Sequence, residues 1–437
     1  MKSVEQVSCN TMKRIFWGII IILIFGAGIL IGKTGQKNKK VESNNNSSNK
    51  YVTFLGEVYK TIQENYWNKL TDEQLSNIFV LGTEKLTGQN QNVTKKDKDT
   101  MFQMLEKIIN QYDSDAKKKD FCAMLSDVVL SNLEPFGRSR LYSQKEEKAL
   151  SDVVQNKTEE NRYADLGVKK DAKPEEIAQA FETESKKWDP KVNKAPEAAV
   201  KYEKVQQAFK TLSDTENRKN YDMAGVEPTM DYKLIRPDVF YVHMTKFSPT
   251  TFDEMVRVFD KVKGKDGVNS LILDLSGNIG GAIDGLPYFL GPFIGNDQYA
   301  YQFLHQGEKQ DFKTKIGWLD SLVQYKKVVI MTDGQSQSTA ELMASVLKKY
   351  NVGVLIGRKT KGWGTVERVF PLTTKIADNE TYSVFLVHTL TLREDGQPIE
   401  GNGVEPNISL DDKTWKKQLL DRYNTQSIVD AIVDISM

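Results

Sequence analysis

The sequence has little of the chemistry that builds covalently cross-linked or metal-stabilised folds. Its 437 residues include two cysteines, Cys9 and Cys122, and three histidines, His243, His305 and His388. Two cysteines so far apart argue against a disulfide framework and against a zinc site. Three scattered histidines argue against histidine-rich metal chemistry. We therefore expect neither a metal nor a cofactor.

A strong charge of either sign is also missing, because the formal net charge is +1. A chain without a basic excess has no global field to attract nucleic acid, so we expect no nucleic-acid partner. Hydrophobic residues make up 39% and charged residues 27%, which is ordinary for a globular protein. The length predicts two or three domains.

One long apolar run stands near the N-terminus, over residues 15–32. Eighteen residues without a charge are just enough to cross a bilayer. A cleaved signal peptide is the alternative, but no A-x-A-like cleavage site follows the run. We predict a short tail at 1–14, a transmembrane anchor at 15–32 and a flexible, Asn/Ser/Lys-rich linker at 33–50.

The basic residues beside this run indicate its orientation only weakly. Lys13 and Arg14 precede it, and four lysines follow at positions 33, 37, 39 and 40. Cytoplasmic loops carry an excess of basic residues, so these charges favour a cytoplasmic body. These charges give no support to an exported body.

Residues 51–158 show the apolar spacing of helices. Phe54, Val58 and Ile62 recur at intervals of four residues, which places them on one helix face. Thr71 with Gln74 three residues later is a capping-box signature. The pattern predicts a helical N-terminal region.

Residues 159–227 predict a small all-α module. A helix starts at Pro174, a second amphipathic helix follows, and a short third one stops at Gly225. The segments "YADLGV", "AKPEEIAQAF", "QQAFKTLSD" and "NRKNYD" resemble the J-domain of DnaJ-type co-chaperones. The resemblance covers nearly the whole module.

The functional triplet of that family is altered in this chain. J-domains carry His-Pro-Asp between their two long helices, and the matching residues here are Asp189, Pro190 and Lys191. The change favours a structural or protein-binding module with a protein partner. Retained co-chaperone work is the alternative.

From residue 235 to residue 437 the pattern changes to α/β. Short apolar runs such as "SLILDL" and "KVVIMTD" alternate with helical segments. This alternation predicts a parallel or mixed sheet covered by helices. The chain as a whole is therefore expected to be a multi-domain α/β protein.

Two segments of this region could carry chemistry, and the first is the glycine turn "LDLSGNIGG". Gly277, Gly280 and Gly281 follow a buried strand. Glycines allow unusual dihedrals, and such a turn can aim backbone N–H groups at a developing oxyanion. An ordinary tight turn is the alternative. No Gly-Lys-Ser/Thr follows, so a phosphate loop is disfavoured.

The second segment is "GQSQSTAEL", which places Ser338 at the start of a helix. Ser338 to Glu341 also reads as a capping box, so a cap alone would explain it. A serine at a helix N-terminus could instead attack a carbonyl whose oxyanion is held by the N–H of Thr339. Ser336, in the preceding loop, is the alternative nucleophile.

Taken in order, "LILDLSGNIGG", "QSQSTAELMASVLKKYNVGVLIGRKTKGWGTVE" and "DGQPIEGNGVEP" resemble the C-terminal processing, or tail-specific, serine peptidases. The upstream "EPFGRSRLYSQKE" is similar to the segment before that family's PDZ domain. No PDZ sequence is recognisable, and the J-like module stands in its place.

The resemblance implies a ClpP/crotonase-like peptidase core outside the cytoplasm. It implies endoproteolysis of extended or unfolded polypeptides through an acyl-enzyme on a serine matching Ser338. The oxyanion donors match Thr339 and one of Gly280 and Gly281.

The family's general base is a lysine, and its position matches Trp363; a supporting glutamine matches Glu367. An indole cannot accept the serine proton. Lys361 would lie on the same face as Trp363 if the segment were extended, and it is our candidate for a displaced base. His243 or His388 could serve instead. A peptide-binding relative that does not cleave is the third alternative.

Overall fold

The computed structural model describes residues 49–436 except 92, 94 and 394. The predicted tail, the predicted anchor and nearly all of the predicted linker lie outside the described residues. Within the described part of the chain, no helix is both long enough and apolar enough to cross a bilayer.

The N-terminal region is helical, as its apolar spacing predicted. Its first four helices are α1 (Lys50–Asn65), α2 (Asp72–Thr87), α3 (Lys98–Ile109) and α4 (Asp115–Ser131). The capping box predicted at Thr71 is present, with the hydroxyl of Thr71 accepting from Gln74 and the side chain of Gln74 accepting from Thr71. A short strand, β1 (Arg140–Ser143), and helix α5 (Gln144–Val154) follow.

The J-like module consists of α6 (Arg162–Leu166), α7 (Pro174–Trp188), α8 (Ala198–Leu212) and α9 (Thr215–Ala224). Helix α7 begins with Pro174 and α9 ends at Gly225 in the left-handed conformation, both as predicted. The stacked rings of Phe181 and Phe209, 4.0 Å between centroids, join the two long helices. The module has its own small apolar core.

A six-stranded mixed sheet forms the centre of the C-terminal half, in the order β11-β8-β7-β4-β3-β2. Its strands are β2 (Met230–Arg236), β3 (Val239–Met244), β4 (Ser270–Asp274), β7 (Lys327–Thr332), β8 (Val354–Gly357) and β11 (Ile408–Ser409). Only the β2–β3 pair is antiparallel. The mixed sheet was predicted, but β2 was not.

Helices cover both faces of this sheet, which is why β4 is buried along its whole length. They are α10 (Thr251–Asp260), α11 (Leu286–Ile294), α12 (Asp320–Val323), α13 (Thr339–Lys349), α14 (Trp415–Tyr423) and α15 (Gln426–Ser436). Helices α10, α11 and α13 contribute to the core on one face, and α14 and α15 to the core on the other.

A second, antiparallel sheet of five strands was not predicted. It contains β1 together with β5 (Tyr299–His305), β6 (Glu308–Lys313), β9 (Thr365–Pro371) and β10 (Tyr382–Leu392). Strand β10 pairs with β1, β5 and β9. Its buried residues share one apolar core with the N-terminal helices. The N-terminal helices therefore cover this sheet and do not form a separate bundle.

The J-like module is an insertion whose two ends meet. Lys157 and Val226 form an antiparallel bridge at its base. The Arg162 side chain there is buried and paired with Glu227. The two ends of the module are therefore held together at its base.

Candidate active site

Ser338 lies at the N-terminus of α13 with a backbone that serine rarely adopts. Its φ is +57° and its ψ is −124°. Such strain persists only where the surroundings enforce it, and it clusters at functional sites. The Ser338 hydroxyl makes no cap hydrogen bond. Of the predicted capping box, the contact made by Glu341 is present: its carboxylate accepts from the Ser338 N–H at 2.9 Å. The Ser338 hydroxyl is therefore not used in capping the helix.

The glycine turn lies directly against this serine. A Cβ on Gly280 would come within 2.6 Å of the Ser338 Cβ, and a Cβ on Gly281 within 2.0 Å of the Phe247 carbonyl oxygen. Both glycines have positive φ values. The hydroxyl of Thr339 donates to the Gly281 carbonyl at 3.0 Å. The two segments singled out in the sequence therefore form one site.

The N–H groups of this site differ in their availability. The N–H of Gly280 donates to the Asn278 side chain at 2.8 Å, so it is already engaged. Across the part of the chain that the structure describes, the N–H groups of Gly281 and Thr339 have no acceptor. Between the two glycines proposed as oxyanion donors, the geometry favours Gly281. The pair Gly281 and Thr339 could hold an oxyanion.

Ser336 is occupied by structural hydrogen bonds. It is fully buried, and its hydroxyl donates to the Leu275 carbonyl at 2.7 Å while accepting from the Asp333 N–H at 3.0 Å. A hydroxyl with this environment holds the loop together. Ser338 is the better candidate nucleophile.

The buried carboxylate of Glu341 joins the serine to the "TKGWGTVE" segment. Besides the Ser338 N–H, it accepts from the N–H groups of Gly362 and Trp363, each at 2.7 Å, and from the Thr360 hydroxyl. Burial raises the pKa of Glu341, although these hydrogen bonds act in the opposite direction. One side chain thereby fixes the position of Trp363 relative to Ser338.

Trp363 lies in a polar cage. The guanidinium of Arg138 stacks over its ring at 3.3 Å, and its indole N–H points to the Glu367 carboxylate at 3.4 Å. Arg138 is also paired with Glu400 at 2.9 Å, and Glu400 accepts from the Gly364 N–H. Burial raises the pKa of Glu367. No group of this cage is a lysine.

Lys361 lies next to the cage, in a conformation that differs from the extended one considered above. Residues 361–364 are outside the strands, and Gly362 has a φ of +80°. Lys361 is exposed, with its Nζ 5.2 Å from the Trp363 ring centroid, and its N–H donates to Ser336. Lys361 remains a candidate base.

The two histidines considered as bases, His243 and His388, have other surroundings. His243 contacts the Ser276 carbonyl through Nε2 at 2.9 Å. His388 stacks on His305, and burial lowers its pKa to about 4. Among the hydrogen bonds of the described residues, none joins either ring to Ser338. Neither ring is in place to take the serine proton.

Sequence reasoning missed Arg138, Glu400 and Asn278. Arg138 lies in "EPFGRSRL" and Glu400 in "DGQPIEGNG", both inside stretches used for the family resemblance. Their charges gave no indication of a common location. Asn278, whose side chain also donates to the Met244 carbonyl at 2.7 Å, was visible only as part of the glycine turn.

Comparisons with known proteins match two separate regions of the chain. Residues 238–410 match Peptidase family S41, and residues 161–222 match the DnaJ domain. The resemblances predicted from the sequence are therefore confirmed. The chain carries a region that matches a peptidase family and a region that matches the DnaJ domain.

Individual relatives cover only parts of the chain. A carboxy-terminal-processing protease of Bartonella bacilliformis is 24% identical over 204 residues, which is 42% of this chain and 44% of that protein. The chaperone protein DnaJ of Levilactobacillus brevis is 49% identical over 63 residues, 14% of this chain and 16% of that protein. The chain thus spans less than half the length of these curated relatives.

Among solved structures, the photosystem II D1 C-terminal processing protease matches with a TM-score of 0.48 and 14% identity. The match covers 82% of this chain and 93% of that one.

Proposed function

We propose that this protein is a serine endopeptidase of the C-terminal processing type, which cleaves extended or unfolded polypeptides through an acyl-enzyme on Ser338. One observation carries the proposal. Ser338 is held at a positive φ beside two N–H groups, of Gly281 and Thr339, that have no acceptor in the described part of the chain. A hydroxyl next to two unused donors is the arrangement that acyl transfer needs.

The reaction follows from these positions. The Ser338 Oγ attacks the substrate carbonyl, and the negative charge that develops on its oxygen is held by the two N–H groups. The serine proton passes to a base and then to the leaving amine. Water attacks the acyl-enzyme and releases the second fragment. No metal or cofactor takes part in these steps.

Lys361 is the proposed base. Its side chain is exposed beside the Trp363 ring, on the segment that Glu341 ties to Ser338. Lysine serves as a general base in its neutral form. The closed cage around Trp363 leaves the family's usual base position without an amine.

That cage also favours a second candidate function. A catalytically impaired relative would keep the serine, the glycine turn and the substrate cleft, and would act as a peptide-binding or chaperone-like scaffold. Trp363, stacked under Arg138 in the lysine position, is the observation that supports it.

Cleavage of unfolded casein by the full-length protein separates these two functions. We expect cleavage by the unaltered protein, loss to background in Ser338→Ala, and a loss of at least about 100-fold in Lys361→Ala. Lys359→Ala is the matched control, because Lys359 is an exposed lysine two residues away and is paired with Glu405. It should cleave normally.

Each outcome points to one candidate. Cleavage no faster than that of Ser338→Ala contradicts the peptidase and leaves the scaffold, which should then bind casein measurably. Cleavage that survives Lys361→Ala removes Lys361 from the mechanism while Ser338 keeps its role.

We further propose that residues 15–32 anchor the protein in a membrane, as a single-pass protein with its body outside the cytoplasm. The length and apolar character of the run support the anchor, and the family resemblance supports the exported body. On intact cells, added protease should degrade residues 49–437. Full protection of that part, with degradation only after lysis, would place the body in the cytoplasm.

A further inference from the structure

The J-like module contacts the core close to the strand that carries His243. Lys210, on α8 of the module, is paired with Asp231 of β2 at 2.9 Å. Asp231 pairs with His243 across the β2–β3 ladder, and its carboxylate lies 3.8 Å from the His243 Nδ1. The Lys210 ammonium of the module and the His243 imidazole therefore both contact the Asp231 carboxylate.

The opposite side of the imidazole holds the glycine turn. The Nε2–H of His243 donates to the Ser276 carbonyl at 2.9 Å. The next N–H, of Gly277, donates to the Asp333 carboxylate at 2.9 Å. The peptide plane between Ser276 and Gly277 is thus fixed from both sides. This plane begins the turn that ends at Gly281 beside Ser338.

We propose that His243 is a positioning residue for the oxyanion-binding turn, and that the J-like module tunes it through Lys210 and Asp231. The catalytic part of this inference rests on the proposed acylation of Ser338. The link between the module, the His243 imidazole and the glycine turn does not depend on that acylation. The inserted module would thereby control the peptidase site without touching substrate.

The charges around the imidazole define how the link works. Burial lowers the pKa of His243, but its contact with Asp231, the charge of Asp274 and the Ser276 carbonyl outweigh it, so the pKa is raised above 6.5. The protonated ring can serve Asp231 and Ser276 together. This double contact is complete below pH 6.5 and is lost as the pH rises through the raised pKa.

Other elements packed nearby carry charges that already have partners. On α15, Asp434 is paired with Arg236 of β2. On α10, the buried Glu254 accepts from the N–H groups of Thr229 and Met230. Lys210 is the residue of the module that is paired with Asp231, and it can tune His243 through that carboxylate.

Imidazole titration by NMR of the full-length protein tests the link without using activity. The chain has three histidines, so the His243 signal can be assigned with His243→Gln. Lys210→Met should raise the pKa of His243 by about 0.3 pH unit or more, because Asp231 then acts on the imidazolium alone. Lys204→Met is the matched control on the same helix, since Lys204 is paired with Glu160.

The turn gives a second readout in the same samples. With selective glycine labelling, the amide signals of Gly277 and Gly280 should shift with the pKa of His243, and should lose that shift in His243→Gln. If these two amide signals do not change as His243 titrates, His243 does not position the turn. An unchanged His243 titration in Lys210→Met would overturn the tuning by the module.

Acylation of Ser338 by a fluorophosphonate probe completes the test. We expect its rate to fall as His243 deprotonates, at a pH that moves upward in Lys210→Met. His243→Gln should keep an amide donor for Ser276 and flatten the pH profile, whereas His243→Ala should react at least about 10-fold more slowly. Equal rates in His243→Ala and the unaltered protein would overturn the catalytic part. Should the unaltered protein not react while both NMR shifts occur, the link holds and the peptidase proposal fails.

Discussion

Replacing Glu341 with alanine is expected to lower the free energy of unfolding by about 4 kcal/mol and to abolish acylation of Ser338. The carboxylate accepts hydrogen bonds from the N–H groups of Ser338, Gly362 and Trp363 in a fully buried position. Each buried donor left without a partner costs about 1–3 kcal/mol. The same change frees Ser338 to leave its strained conformation.

Glu341→Gln is the control that separates shape from hydrogen bonding. Glutamine keeps the volume of the side chain and one carbonyl oxygen. Its NH2 group, however, replaces an oxygen that accepts two hydrogen bonds in the unaltered protein. An NH2 group can accept neither of them. We expect roughly half of the loss in stability that alanine causes, and an intermediate acylation rate.

Chemical unfolding followed by circular dichroism, together with probe labelling, measures both effects. The slope of the unfolding curve should stay constant if only stability changes. If Glu341→Ala unfolds at the denaturant concentration of the unaltered protein, the carboxylate does not tie the two segments together. Glu341 would then not be the residue that fixes Trp363 relative to Ser338.

Replacing Gly281 with alanine should prevent the protein from reaching its native fold, or should destabilise it by more than about 4 kcal/mol. The added Cβ would lie 2.0 Å from the Phe247 carbonyl oxygen, and Gly281 has a φ of +135°. The Phe247 carbonyl is held in place, because it accepts a hydrogen bond from the Ala282 N–H at 2.8 Å. The substitution combines a backbone clash with an unfavourable dihedral.

Gly277→Ala provides the matched control in the same turn. Gly277 also has a positive φ, of +67°, but an added Cβ would meet no atom within 4 Å. Only the dihedral is then unfavourable, which costs about 1 kcal/mol. Soluble expression and thermal unfolding of the two variants give the comparison. Equal stability of the two would contradict the close approach of Phe247 to the turn.

Local structure was largely predictable, because its signals are short in sequence. The sequence predicts the capping box at Thr71, the proline that begins α7 and the glycine that ends α9, and the structure has them all. Each depends on atoms a few residues apart, so the local sequence specifies it.

The second sheet, and strand β2 of the six-stranded sheet, were not predictable in the same way. Strand β1 follows a helical region and has four residues, and it becomes a strand only by pairing with residues 382–385 of β10. Strand β2 is mostly exposed along its first half, so it lacks the apolar run that indicated its neighbours. Pairing between distant segments depends on the arrangement of the whole chain.

The amino-acid sequence by itself identified the two segments of the site, the glycine turn and the serine at a helix start, and it showed that a tryptophan stands where a lysine was expected. Only the tertiary structure decided which groups are available. Gly280 and Ser336 are engaged by hydrogen bonds, whereas the hydroxyl of Ser338 is left out of its own cap.

Tertiary structure also decided the surroundings of Trp363, which combine Arg138 from the N-terminal half with Glu367 and Glu400 from the C-terminal half. The physical reason is the same in each case. A residue type records what a side chain can donate or accept, but packing determines which partner reaches it first.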